Sequence, residues 1–225
     1  MDERSGAGAL LGRGRTADVF ALDAHRVLRR YRDGGDTSGE LAVMRHLARH
    51  GYPVPAASPG AAPGELVLER LAGPTMRDAL VAGELAPEAA GELLAGLLLR
   101  LHAVPPRPGG DPAHRILHLD LHPENVLMTP RGPVVIDWAT AAGGPPALDT
   151  GTSTLIMAEV ALTLPADLAP AARAVLTALV RRLGGPGDLA AARARRAANP
   201  TLSAAEAARL DAAAALALGA GRGAP

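Results

Sequence analysis

Between His118 and Trp138 the chain reads HLDLHPENVLMTPRGPVVIDW, short apolar runs parted by polar residues, Pro and Gly. Runs of this kind read as strands, so ILHLDL, NVLM and PVVID predict a strand, a loop and then two strands joined by a turn. The sequence on both sides has a different period. Pro87 to Val104 is a continuous Leu/Ala pattern at helical spacing, ended by Pro105 and Pro106. After Trp138 the pattern is helical again, over roughly 152–164, 168–184, 187–197 and 203–219. A strand-loop-strand inset between helices leaves few architectures open, and it marks where a cleft site would be built.

The first third of the chain is strand-rich. GALLGRG leads into ADVFAL, Asp23-Ala24 suggests a turn, and HRVLRRY follows with β-branched and aromatic content. Residues 37 to 50 predict a helix, with Thr37 or Ser38 as candidate N-cap and Gly51 as its stop. Leu41, Met44, Leu47 and Ala48 form its apolar stripe. GYPVPAASPGAAPG is a connection, and ELVLERL predicts a buried strand. The expected organisation is α+β with two lobes: a small β-rich part over residues 1–70, a connector near 69–74, and a mostly helical part over 71–225 that opens with the hairpin.

Composition narrows the function classes. With 225 residues and 48% hydrophobic content the chain can bury a real core, but aromatics are 2%, so Ala, Leu and Val must build it. Formal net charge is zero, which gives no general argument for nucleic-acid or membrane-surface binding. There is no cysteine, hence no disulfide and no thiolate metal site. No run approaches the length of a membrane span or a secretory h-region, so a soluble cytoplasmic protein is the expectation. All 23 basic residues are Arg, Gln is absent, and the only Asn are Asn125 and Asn199.

Against that background the offsets in HLDLHPEN carry chemical meaning. Phosphoryl transfer needs a carboxylate beside the attacking hydroxyl, plus one amide and one carboxylate oxygen to hold Mg²⁺ against nucleotide phosphates. Asp120, Asn125 and Asp137 stand at the offsets of a kinase catalytic loop and its metal-binding Asp. Asp120 is then the candidate base. Gly12-Arg13-Gly14-Arg15-Thr16-Ala17-Asp18-Val19 fits a glycine-rich loop with Ala17 in the third glycine's place, so Gly12, Gly14 and Thr16 become candidate phosphate contacts. In HRVLRRY, alternation puts Val27, Arg29 and Tyr31 on one face. Arg29 is the candidate cation for the α- and β-phosphates. Glu40 shares a helix side with Met44 and Leu47 and is its candidate partner. Backbone near Glu69 and Leu71 could meet an adenine edge. His118 reads as a structural brace. A zinc pair of His118 with His122 is disfavoured by Pro123 and the strand-like surroundings, and Asp149 in ALDTG reads as a helix cap.

With these residues in view, the chain resembles the aminoglycoside phosphotransferase-like (choline kinase-like) small-molecule kinases. That family has a protein-kinase-like fold, with a bilobed shape and a largely helical substrate lobe. The resemblance spans about residues 9 to 150 in order, with HLDLHPENVL and VVIDW as its most specific parts. It implies Asp120 as catalytic base, Asn125 and Asp137 on Mg²⁺, and Arg29 where the family has its phosphate-binding Lys. ATP or GTP is the implied co-substrate, and a small-molecule hydroxyl the acceptor. Leu119 and Glu124 replace glycines that the family often has in the loop. Protein kinase is the poorer match, since Leu119 precedes the catalytic Asp and no A-P-E follows. From Ala139 to Pro225 eight Arg face six acids, which argues against a strongly cationic acceptor. The alternative from another class is a catalytically quiet, nucleotide-binding regulator, suggested by Arg29 and the short C-terminal part.

Overall fold

The computed structural model describes residues 8–14, 16–109, 111–199 and 202–222. The chain divides into two compact units, one of Met1–Gly73 with Leu127–Ala139, the other of Pro74–Val126 with Thr140–Pro225.

The first unit is built on an antiparallel sheet of β1 (Leu10–Arg13), β2 (Ala17–Ala21), β3 (Arg26–Tyr31), β4 (Ala57–Pro59) and β5 (Glu65–Glu69), ordered β1-β2-β3-β5-β4. The Asp23 carboxylate accepts from the His25 and Arg26 N–H groups, both at 2.8 Å, and so makes the turn between β2 and β3. Helix α1 (Ser38–Arg49) packs with its Leu41, Val43, Met44 and Leu47 buried. Thr37 is its N-cap residue but spends its hydroxyl on the Pro63 carbonyl at 2.9 Å, and Asp36 accepts from the Ser38 N–H instead. Gly51, at φ +70, turns the chain out of the helix as expected. The short β4 was not expected within the Pro-rich connection; it forms by pairing with β5.

The second unit holds α2 (Met76–Val81), α3 (Pro87–Ala103), β6 (Arg115–Leu117) and the 3-10 turn Pro123–Asn125. The chain then forms the hairpin β7 (Val126–Thr129) and β8 (Gly132–Val135). The sequence reading puts this hairpin with the helices, whereas in the structure residues 127–139 group with the first unit. The contacts explain it: Val135 N–H donates to the Pro53 carbonyl at 2.9 Å, and Trp138 meets Tyr52 edge-on at 5.7 Å. Gly73, at φ +136, lies so close to the Met128 carbonyl that a Cβ there would clash.

Back in the second unit, β9 (Ala142–Gly144) pairs with β6. Four helical segments were expected beyond it; the structure has α4 (Pro146–Thr163), α5 (Ala169–Leu183), α6 (Leu189–Ala197), α7 (Ala204–Ala207) and α8 (Leu210–Ala220). Helix α4 starts earlier than its sequence suggests. Gly151 and a Thr/Ser run are poor helix formers, but Pro146 sits at a favourable first position and the segment is buried almost throughout. The last helix is broken near Ala208, with Ser203 and Glu206 forming a capping box for α7. No helix among the described residues is long and apolar enough to cross a membrane.

Candidate active site

The catalytic-loop residues lie in the second unit, between β6 and the 3-10 turn. His118 is fully buried. Its Nδ1 accepts from the Asp120 N–H at 3.3 Å, and its carbonyl accepts from the Thr140 hydroxyl at 2.8 Å. The expectation of a bracing role therefore has a concrete form.

Asp149 is where sequence reasoning missed a residue. It is not the N-cap of α4 but lies within its first turn, fully buried. Its carboxylate accepts from the N–H groups of His118 at 3.1 Å and Leu119 at 2.7 Å, and His102 Nε2 lies 2.9 Å away. Leu119 has φ +63, a conformation non-glycine residues rarely adopt. The Asp149 carboxylate thus fixes the strained residue immediately before Asp120. The only sequence signal was an acid opening a long helix, which local rules read as a cap.

Asn125 stands at the end of the 3-10 turn, and its Nδ2 donates to the Asp120 carbonyl at 2.8 Å and carboxylate at 3.2 Å. That orientation turns Oδ1 away, and it enters no hydrogen bond among the described residues. His122 caps the turn: its Nδ1 accepts from the Glu124 N–H at 3.3 Å, while Nε2 lies 3.7 Å from Asp120 Oδ2. Burial tends to raise the Asp120 pKa, but the hydrogen bond with His122, the electrostatic influence of His122 and His118, and the Asn125 amide outweigh it. The carboxyl is held below its ordinary range and is an anion at neutral pH.

In the first unit β3 and α1 bring Arg29 and Glu40 together. Arg29 is buried, and its Nη1 donates to Glu40 Oε1 at 3.0 Å. Its Nη2 donates to Asp137 Oδ1 at 2.6 Å. The second contact was not foreseen, because 108 residues separate the partners. Arg29 can hold both because the guanidinium is a fork, where an ammonium is a single point. Burial works against its charge, yet Asp137 and Glu40 more than compensate and hold its pKa above the ordinary value. Asp137 itself follows β8 at φ +62.

The remaining candidates are placed less tightly. Gly12 lies in β1 opposite Val19, and the Gly14 N–H donates to the Ala17 carbonyl at 2.8 Å, closing the β1–β2 turn. The Gly14 carbonyl accepts from Arg32, and the Thr16 carbonyl from the Arg32 N–H at 3.0 Å. Arg15, between them, is outside the described residues. Glu69 ends β5, with its carboxylate taken by Arg131 and the Ala56 N–H. Leu71 follows it, half-buried, and its backbone enters no hydrogen bond among the described residues.

A β-sheet with a buried cation–carboxylate pair, followed by a helical unit that carries a braced Asp–Asn loop, is the construction of a kinase-like phosphotransferase. The family model described as "Phosphotransferase enzyme family" matches residues 8–116 and 108–183. The chain belongs to that family. Among solved structures it is similar to aminoglycoside phosphotransferase APH(4)-Ia, with a TM-score of 0.57 at 16% identity over 96% of this chain and 94% of that one. APH(2'')-Ib with bound ADP gives a TM-score of 0.58 at 14% identity, covering 97% of this chain and 94% of that one. The gentamicin complex of APH(2")-IIa gives 0.57 at 15% identity, covering 82% and 79%. These likenesses show the kinase-like α+β fold that the sequence predicted. No curated protein matches the sequence.

Proposed function

We propose that this phosphotransferase moves the γ-phosphoryl group of ATP or GTP to a hydroxyl of a small molecule. The observation that carries the reading is the setting of Asp120. Its loop is held by Asp149 and Thr140, its carboxylate receives Asn125 and faces His122, and its pKa is lowered. Such a carboxylate accepts a hydrogen bond from the acceptor hydroxyl and aligns the oxygen for in-line attack. As the new O–P bond forms and the bond to the nucleoside diphosphate breaks, Asp120 takes the hydroxyl proton. A positioned group of this kind contributes about 10²–10⁴-fold in rate.

Arg29 binds the α- and β-phosphates, with Glu40 fixing its direction. Gly12, Gly14 and Thr16 line the turn over the phosphates, and backbone at Glu69 and Leu71 meets the base. Asn125 and Asp137 are assigned to a magnesium ion by the type of donor each carries. Asn125 keeps Oδ1 for a cation because its Nδ2 is committed to Asp120, and Asp137 supplies a carboxylate. One amide and one carboxylate, completed by phosphate oxygens and water, is a donor set that suits Mg²⁺. When bound, the ion neutralises charge on the transferring group. A nucleotide-binding regulator has no use for a loop braced around Asp120, so the enzyme is the better-supported reading.

The test is transfer from γ-labelled ATP and GTP to a panel of aminoglycosides, amino alcohols and sugars, with and without Mg²⁺. Product that needs Mg²⁺ and disappears in Asp120→Ala supports the proposal. Nucleotide binding with no product on any acceptor, and basal hydrolysis indifferent to Asp120→Ala, overturns it.

A further inference from the structure

Tyr31 ends β3 two residues after Arg29, and no motif required an aromatic there. The structure makes it part of the cation assembly. Its hydroxyl donates to Glu40 Oε2 at 2.6 Å, and its ring lies under the Arg29 guanidinium, 4.9 Å from centroid to Cζ. The other Glu40 oxygen takes Arg29 Nη1 at 3.0 Å. Each oxygen of this carboxylate, whose side chain is only 7% exposed, is therefore bonded by a different side chain of β3. Burial, helped by Glu40 and opposed by Arg29, raises the Tyr31 pKa well above the usual phenol value, so the hydroxyl stays a donor throughout the physiological range.

An arginine has more rotamers than the position needs, and its forked donors must point in fixed directions to be useful. Glu40 sets one of those directions. Asp137 holds Nη2 at 2.6 Å, and with a single bond from Arg29 the Glu40 carboxylate could rotate about its last torsion and loosen its hold on Nη1. The Tyr31 hydroxyl removes that freedom, and the ring beneath the guanidinium limits it from the other side. We propose that Tyr31 is a positioning residue for nucleotide binding, acting through Glu40 to aim Arg29.

The proposal rests on the phosphotransfer reading of Arg29. Its test is the affinity for ADP with Mg²⁺, measured by calorimetry on Tyr31→Phe, Glu40→Ala and the double variant, with steady-state kinetics alongside. Tyr31→Phe loses only the hydroxyl and keeps the ring that lies against the Arg29 guanidinium. A hydrogen bond to a charged group predicts about tenfold weaker nucleotide binding and a matching rise in nucleotide KM. The KM for the acceptor and kcat at saturating nucleotide stay as in wild type. In the Glu40→Ala background the same change should have no further effect. Unchanged nucleotide binding in Tyr31→Phe, or an equal loss in both backgrounds, overturns the role assigned to Tyr31. Wild-type protein that binds no nucleotide contradicts the phosphotransfer reading and this proposal with it.

Discussion

Leu119 shows how single residues in this protein trade strain against burial. Its φ of +63 costs about 1–2 kcal/mol relative to an ordinary backbone conformation. Glycine would avoid that cost, but Leu119 is only 6% exposed, and burying a leucine side chain returns about 1.5–3 kcal/mol. What remains is to hold the neighbouring N–H groups in place, and Asp149 does so from α4. Asp149→Asn keeps the shape but turns one oxygen into a donor facing backbone N–H groups. It should destabilise the protein by about 3 kcal/mol, seen in denaturant melts, and lower kcat more than either KM. A variant as stable as wild type would show that the Asp149 bonds are not what holds the loop. The Arg29–Glu40 pair was legible without a structure, because strand and helix faces could be matched. Asp149 was not, because its partners are backbone N–H groups about thirty residues upstream. Tyr31 was placed on the right face, but nothing in the sequence said that its hydroxyl would reach Glu40.

At the scale of elements, long periodic segments were readable and short ones were not. The α3 pattern located its helix within a residue, because its apolar positions repeat over many turns and two prolines end it. β4, β9 and α2 have too few residues for a period to register, and their existence depends on partners found only in the folded chain. The packing of α3 on α5 illustrates a further limit. Gly91 lies against α5, where a Cβ would sit 2.4 Å from the Val175 carbonyl and 2.7 Å from Ala178 Cβ. Gly96, on the same helix, has nothing within 4 Å of such a Cβ. The two glycines look alike in sequence and should respond oppositely to alanine. Gly91→Ala should cost about 2 kcal/mol through overpacking, while Gly96→Ala should gain up to about 1 kcal/mol from helix propensity. Thermal melts of the two variants decide this, and shifts of the same sign would contradict the described α3–α5 contact.

For the whole molecule, equal numbers of acidic and basic residues mean that charge acts through local arrangements and not through a net field. One such arrangement sets a pH dependence of stability. Glu159 on α4 bonds Arg196 of α6 at 2.6 Å, but its other oxygen is buried without a partner among the described residues. Burial raises its pKa above the ordinary 4.5, with Arg196 opposing. The folded state then binds the proton more tightly than the unfolded chain does. Stability attributable to this group is present below the unfolded pKa and is lost as pH rises through the higher folded value. Melting temperatures of Glu159→Gln should show a shallower decline than wild type as pH rises above 4.5. Equal slopes would remove Glu159 from the account. In the proposed reaction the Asp120 carboxylate takes the proton of the acceptor hydroxyl. The most direct test is kcat for Mg²⁺-dependent phosphoryl transfer in Asp120→Asn, with nucleotide affinity measured on the same sample. The prediction is a fall of about 10²–10⁴-fold in kcat with nucleotide affinity retained. A kcat within a small factor of wild type would contradict it.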